Sequence, residues 1–113
     1  MCAALDVGHL LSYQWLLGAR GDALYQDLHR LPLAQCTEIH LSGCELSGGR
    51  FMDHHHGVLM DEQFTLLERL LPLCPALRVV TYEDPRFDDD GALLPGTVAS
   101  FERLRVLVTA WRA

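Results

Sequence analysis

His40, Glu83 and the pair Asp53 and His55 are the residues of this chain best suited to chemistry. Imidazole nitrogen and carboxylate oxygen are the donors that iron, zinc and manganese prefer. His40 and Glu83 each stand at or near the end of an apolar run. Between them, Asp53-His54-His55 forms a D-x-H triplet that can turn both outer side chains toward one ion. Asp6 closes a further short apolar run at the start of the chain, where Gly8 and His9 follow at a turn. Taken singly, each residue has an ordinary role. A lone strand histidine is most often a core residue, and Glu83 can pair with Arg78 or Arg86. Gathered at one end of a parallel sheet, they specify a metal site. His54 and His56 are read as supporting or solvated. Asp88-Asp89-Asp90 is read as a solvated loop, because it lacks the spacing of a calcium loop.

The elements that must position these groups follow from periodicity. Residues 2–7 read as a short buried strand, and His9 to Trp15 as an apolar stretch, helical or loop-like. Asp22 is placed to cap a helix, since its carboxylate can accept from free amides of a first turn. Leu24, Leu28 and Leu31 follow at helical spacing up to Pro32. Thr37 to Ser42 reads as the second strand, with Glu38, His40 and Ser42 on one face and Ile39 and Leu41 on the other. Residues 42–52 read as a glycine-rich functional loop. Asp61 is expected to cap the next helix, with Phe64, Leu67 and Leu71 in one stripe, Leu66 and Leu70 widening it, and Cys74-Pro75 closing it. Leu77 to Glu83 reads as the third strand. Pro95-Gly96-Thr97 opens a last helix with a buried stripe of Val98, Phe101, Leu104, Val108 and Trp111. The fold expected is α/β, one partial-barrel domain over residues 1–113 with βα units at about 2–32, 37–75 and 77–112. Alternation of this kind implies parallel strands with right-handed crossovers, and functional groups collect at the carboxyl ends of such strands.

Composition narrows the function classes. Half of the residues are apolar, which suffices for a core, and a net charge of −6 argues against a nucleic-acid binder. No apolar run reaches the length of about 18 residues that a membrane span needs. The first residues lack the basic region of a signal peptide, so a cytoplasmic location is expected. Cys2, Cys36, Cys44 and Cys74 form no C-x-x-C pair, and Cys36 and Cys74 are expected as reduced, buried thiols. Cys44, beside the candidate site, retains a possible role of its own as a nucleophile. No G-x-S-x-G elbow, P-loop or dinucleotide fingerprint is present.

The segments Leu5–His9 (LDVGH), Glu38–Gly43 (EIHLSG), Met52–His55 (MDHH) with Asp61-Glu62, and Thr81–Asp84 (TYED) resemble the multinuclear non-heme iron-dependent oxidative enzymes. That family includes enzymes of methanobactin and 3-thiaglutamate biosynthesis. The resemblance covers nearly the whole chain and corresponds to the C-terminal part of such an enzyme. It implies a triosephosphate-isomerase-type barrel related to xylose isomerase, and oxygen-dependent oxidation of a cysteine in a ribosomally made peptide. It also implies iron, two or three ions in the family, held by His40, Asp53, His55 and Glu83 with Asp6 and His9 on the first strand. A ferrous ion would bind the substrate thiolate and activate dioxygen beside a neighbouring iron. This chain departs from the pattern at Cys44, where a histidine is usual, at His54 within the D-T-H triplet, and near Gly8-His9, where asparagine is common.

Three βα units do not close a barrel, so exposed strand edges and a partner are expected. The partner would be a complementary barrel half or another copy of the chain, with a cysteine-bearing precursor peptide and its delivery protein also implied. Two other classes are carried: a non-catalytic interaction module derived from the barrel, and a metal-dependent enzyme of the wider xylose-isomerase-like group.

Overall fold

The computed structural model describes residues 3–47 and 49–112, without the side chains of Ala3, Ser47 and residues 53–56. Strand β1 (Ala3–Asp6) runs directly into helix α1 (Val7–Leu16). Three short 3-10 turns then lead to β2 (Cys36–Leu41) and to a hairpin of β3 (Gly43–Ser47) and β4 (Arg50–His56). Helix α2 (Asp61–Leu70), β5 (Val79–Tyr82) and helix α3 (Pro95–Arg112) complete the chain. The main sheet has the order β1-β2-β5 and both pairings are parallel, as the alternation of elements implied. The sheet is open, with no closed barrel, and β3 and β4 form a separate antiparallel pair.

The core lies on one face of the main sheet. Ile39 and Leu41 of β2 are fully buried, and so are Val7 and Leu11 of α1 and Leu66, Leu67 and Leu70 of α2. Period-two alternation therefore leaves Glu38 and His40 on the opposite, open face. Cys36, Cys44 and Cys74 are buried thiols. Desolvation, with Cys36 alongside, pushes the Cys74 thiol up to about 12.

Four expectations are corrected. The first α-helix is Val7–Leu16, capped by Asp6, and the stretch from Asp22 to Leu31 forms only 3-10 turns at Gly21–Tyr25 and Leu28–Arg30. Left-handed backbone at Gly21 (φ 57°) and Asp27 (φ 60°) breaks the helix that the leucine spacing suggested. Residues 42–52 are largely a hairpin, with Glu45 opposite Met52 and Leu46 opposite Phe51. It leans on α1, where the Phe51 and Trp15 ring centroids lie 5.9 Å apart.

Helix α2 is capped from Met60 rather than Asp61. The Oε1 of fully buried Gln63 accepts from the Met60 N–H (3.0 Å) and the Cys44 N–H (3.3 Å), while its Nε2 donates to the Ser42 carbonyl (2.7 Å). One amide thus ties the start of α2 to the end of β2. In α3 the buried positions are Thr97, Ser100 and Leu104, whereas Val98 and Phe101 are 43% and 49% exposed. Polar bonds decide that facing. Thr97 Oγ1 accepts from the Arg86 N–H, and Ser100 Oγ accepts from the Leu59 N–H. Gly57 lies where α3 meets this junction, and a Cβ there would come within 2.8 Å of the Arg86 nitrogen and the Asp84 carbonyl. Among the described residues, no helix is long and apolar enough to cross a membrane.

Candidate metal centre

Strand register assembles the site. Asp6 of β1 lies beside His40 of β2, and His40 lies beside Thr81 of β5. All three are at the carboxyl ends of parallel strands, where this architecture collects functional groups. His40 is held between two carboxylates. Its Nδ1 is 3.2 Å from Glu83 Oε1, and its Nε2 is 2.8 Å from Glu38 Oε1. The Nε2 contact falls outside hydrogen-bonding geometry, so this buried nitrogen has no hydrogen-bond partner among the described residues. Thr81 Oγ1 donates to the same Glu38 oxygen at 3.1 Å. The His40 imidazole first and the Thr81 hydroxyl second hold the Glu38 carboxyl below its ordinary value. The cluster is therefore a carboxylate–imidazole–carboxylate row on the open face of the sheet.

The residues singled out in the sequence divide into three groups. His40 and Glu83 meet, as their placement at strand ends implied. Asp6 and His9 meet each other instead: Asp6 Oδ1 accepts from the His9 N–H at 3.0 Å and Oδ2 lies 3.7 Å from His9 Nδ1. The Asp6 carboxylate is thus engaged in capping α1, and the His9 side chain is 65% exposed. The side chains of Asp53, His54, His55 and His56 lie outside the described residues. The residue missed was Glu38. Its signal was present in the period-two pattern that set it on the His40 face. Ser42 was read onto that face as well, but β2 ends at Leu41 and the Ser42 carbonyl serves Gln63. Cys44 is buried against this junction through its backbone bond to Gln63, so its thiol is poorly placed to act as a nucleophile. Asp88 accepts from the Asp90 and Ala92 N–H groups, which makes the acidic run a turn built on its own backbone.

Among the described residues, no group of three or more His, Cys, Asp or Glu side chains is arranged to hold an ion. Glu38 and Glu83 approach opposite nitrogens of the ring rather than a common point. The donor types nonetheless fit iron. An imidazole whose buried Nε2 lacks a hydrogen-bond partner, flanked by two carboxylates, supplies a nitrogen and oxygens of the kind such ions take. Comparison with family models, with curated proteins and with solved structures returns no match to this chain.

Proposed function

We propose that this chain supplies one side of an iron centre in a multinuclear non-heme iron-dependent oxidase that modifies cysteine in a ribosomally made peptide. The observation that carries the reading is His40 set between Glu38 and Glu83 at the carboxyl end of a parallel sheet. His40 and Glu83 would hold the ion, with Glu38 as an added oxygen donor and Asp53 and His55 completing the set from β4. Bound there, ferrous iron would supply thiolate binding and dioxygen activation.

The chain's own residues account for the rest. Thr81 orients the Glu38 carboxylate and, after His40 itself, favours its charged form. Ile39 and Leu41, buried on the opposite face, fix the β2 backbone so that His40 cannot turn into the core. Asp6 fixes the direction in which α1 leaves the rim. In this proposal a second polypeptide covers the free side of the open sheet, and a cytoplasmic setting with a delivered precursor peptide belongs to the same reading.

A second reading, a non-catalytic interaction module, draws on the open sheet and on the use of Asp6 as a helix cap. Elemental analysis separates the two. Protein prepared without oxygen is expected to carry iron, and Glu83→Ala is expected to lose it while keeping its helical circular-dichroism signal. Metal-free protein after anaerobic loading with ferrous ion would favour the module.

A further inference from the structure

A cavity of about 140 Å³ lies where α1, the Gly21–Tyr25 turn, the hairpin and the start of α2 meet. Trp15, Tyr25 and Phe51 line it with three aromatic rings, together with Leu24, Met60 and the half-buried Glu62. The space is too small for a drug-sized ligand and suits one compact head group. Among the described residues, none of the main sheet lines it, so it is distinct from the His40 row.

Ring geometry and charge decide what such a cavity can hold. The Trp15 and Phe51 rings meet at 40° with centroids 5.9 Å apart, so they form two tilted walls rather than a closed stack. The Tyr25 hydroxyl, the polar end of the third wall, is bonded to the Thr65 side chain. Burial first and the Glu62 carboxylate second push that hydroxyl above its ordinary value, which places the Glu62 charge beside the Tyr25 ring. Asp61 is paired with Arg103, whereas Glu62 has no ion-pair partner among the described residues. Arg20 and Arg69 lie against Trp15 and Tyr25, 3.4 Å and 5.9 Å from the ring centroids, and neither lines this cavity. Two of the three rings thus already draw cations from outside it.

We propose that this cavity binds a methylated ammonium head group, a cation whose surface is carbon and whose charge Glu62 and the ring faces balance. Other guests fit less well. A neutral apolar guest would take the Glu62 carboxylate out of water with no counter-charge, at a cost in free energy. An anion would meet the Glu62 charge directly. An unsubstituted ammonium or a guanidinium brings several N–H donors, yet apart from Glu62 the side chains lining the cavity are rings, leucines and a methionine. Methyl groups replace those donors with apolar surface that the rings and the thioether can cover. The inference rests on the cavity and its one carboxylate and is independent of the iron reading.

The test is a titration of the full chain with choline, followed by NMR at the indole N–H signals of its two tryptophans, Trp15 and Trp111. Choline is expected to bind saturably, shifting the Trp15 signal and leaving that of Trp111 in place. The uncharged alcohol with carbon in place of the choline nitrogen has the same shape and is expected to bind about tenfold more weakly. Glu62→Gln keeps the shape of the cavity and is expected to weaken choline binding about fivefold, the size set by a half-buried charge pair. Asp61→Asn, beside it but outside the cavity, is expected to leave binding unchanged. Circular dichroism establishes that each variant keeps its fold. No shift at Trp15 would overturn the proposal, and so would equal binding of the uncharged alcohol or binding unaffected by Glu62→Gln.

Discussion

The two faces of the main sheet are built on opposite principles. Beneath β2, Ile39 and Leu41 meet α1 and α2 in a fully buried apolar layer that polar bonds close at its margins. Above β2, one residue away in each case, Glu38 and His40 face outward and are 41% and 32% exposed. The first face stores stability, and the second carries polar groups that engage one another at the surface. Gln63 shows the contrast sharply. A buried amide on the packed side has its carbonyl oxygen and its nitrogen all engaged by backbone groups, whereas the buried His40 Nε2 on the open side lacks a hydrogen-bond partner.

Substitutions that test this difference fall in order of size. Leu67→Ala should cost about 3 kcal/mol, the transfer and cavity terms for a fully buried leucine, read as a lower denaturant midpoint. Gly57→Ala should cost about 2 kcal/mol, because the new methyl meets backbone at Arg86 and Asp84 that cannot yield like a side chain; thermal unfolding measures it. Gln63→Leu removes the hydrogen bonds that its amide makes to the Met60 and Cys44 N–H groups and to the Ser42 carbonyl, for about 1–3 kcal/mol. Glu83→Gln, by contrast, should change unfolding free energy by less than about 1 kcal/mol, as expected for a partly exposed ion pair. A loss as large as that of Leu67→Ala would erase the distinction between the faces.

The smallest effect concerns pH. The Glu38 carboxyl titrates below its ordinary value in the folded chain, so the unfolded state binds the proton more readily. Its contribution to stability is present above the ordinary carboxylate range and is lost as pH falls through the lowered folded value. Thr81→Val removes one of the two groups responsible and should move the carboxyl titration upward toward the ordinary value, as followed by NMR.

How much of this was legible in the sequence depends on which force set each element. The three parallel strands were readable because short apolar, β-branched runs alternated with helical patterns. His40 and Glu83 were readable because strand ends in such a sheet share one rim. The stretch from Asp22 to Leu31 misled because its leucine spacing is helical, while left-handed backbone at Gly21 and Asp27 broke the helix. The hairpin escaped because glycines and serines at residues 42–49 masked its pairing. Helix α3 misled in another way. Its buried face is set by the hydroxyls of Thr97 and Ser100, which hydropathy ranks below Val98 and Phe101. Asp6 could be read either as a ligand or as a cap from its position alone, and in the structure its Oδ1 accepts from the His9 N–H as a cap.

Ferrous-ion binding by calorimetry under anaerobic conditions, comparing His40→Ala with Asp6→Asn, tests the central claim most directly. If the open-face cluster is the metal site, His40→Ala abolishes binding, while Asp6→Asn keeps wild-type affinity and loses only helix stability. Binding that survives in His40→Ala, or that disappears in Asp6→Asn with the fold intact, would contradict the assignment.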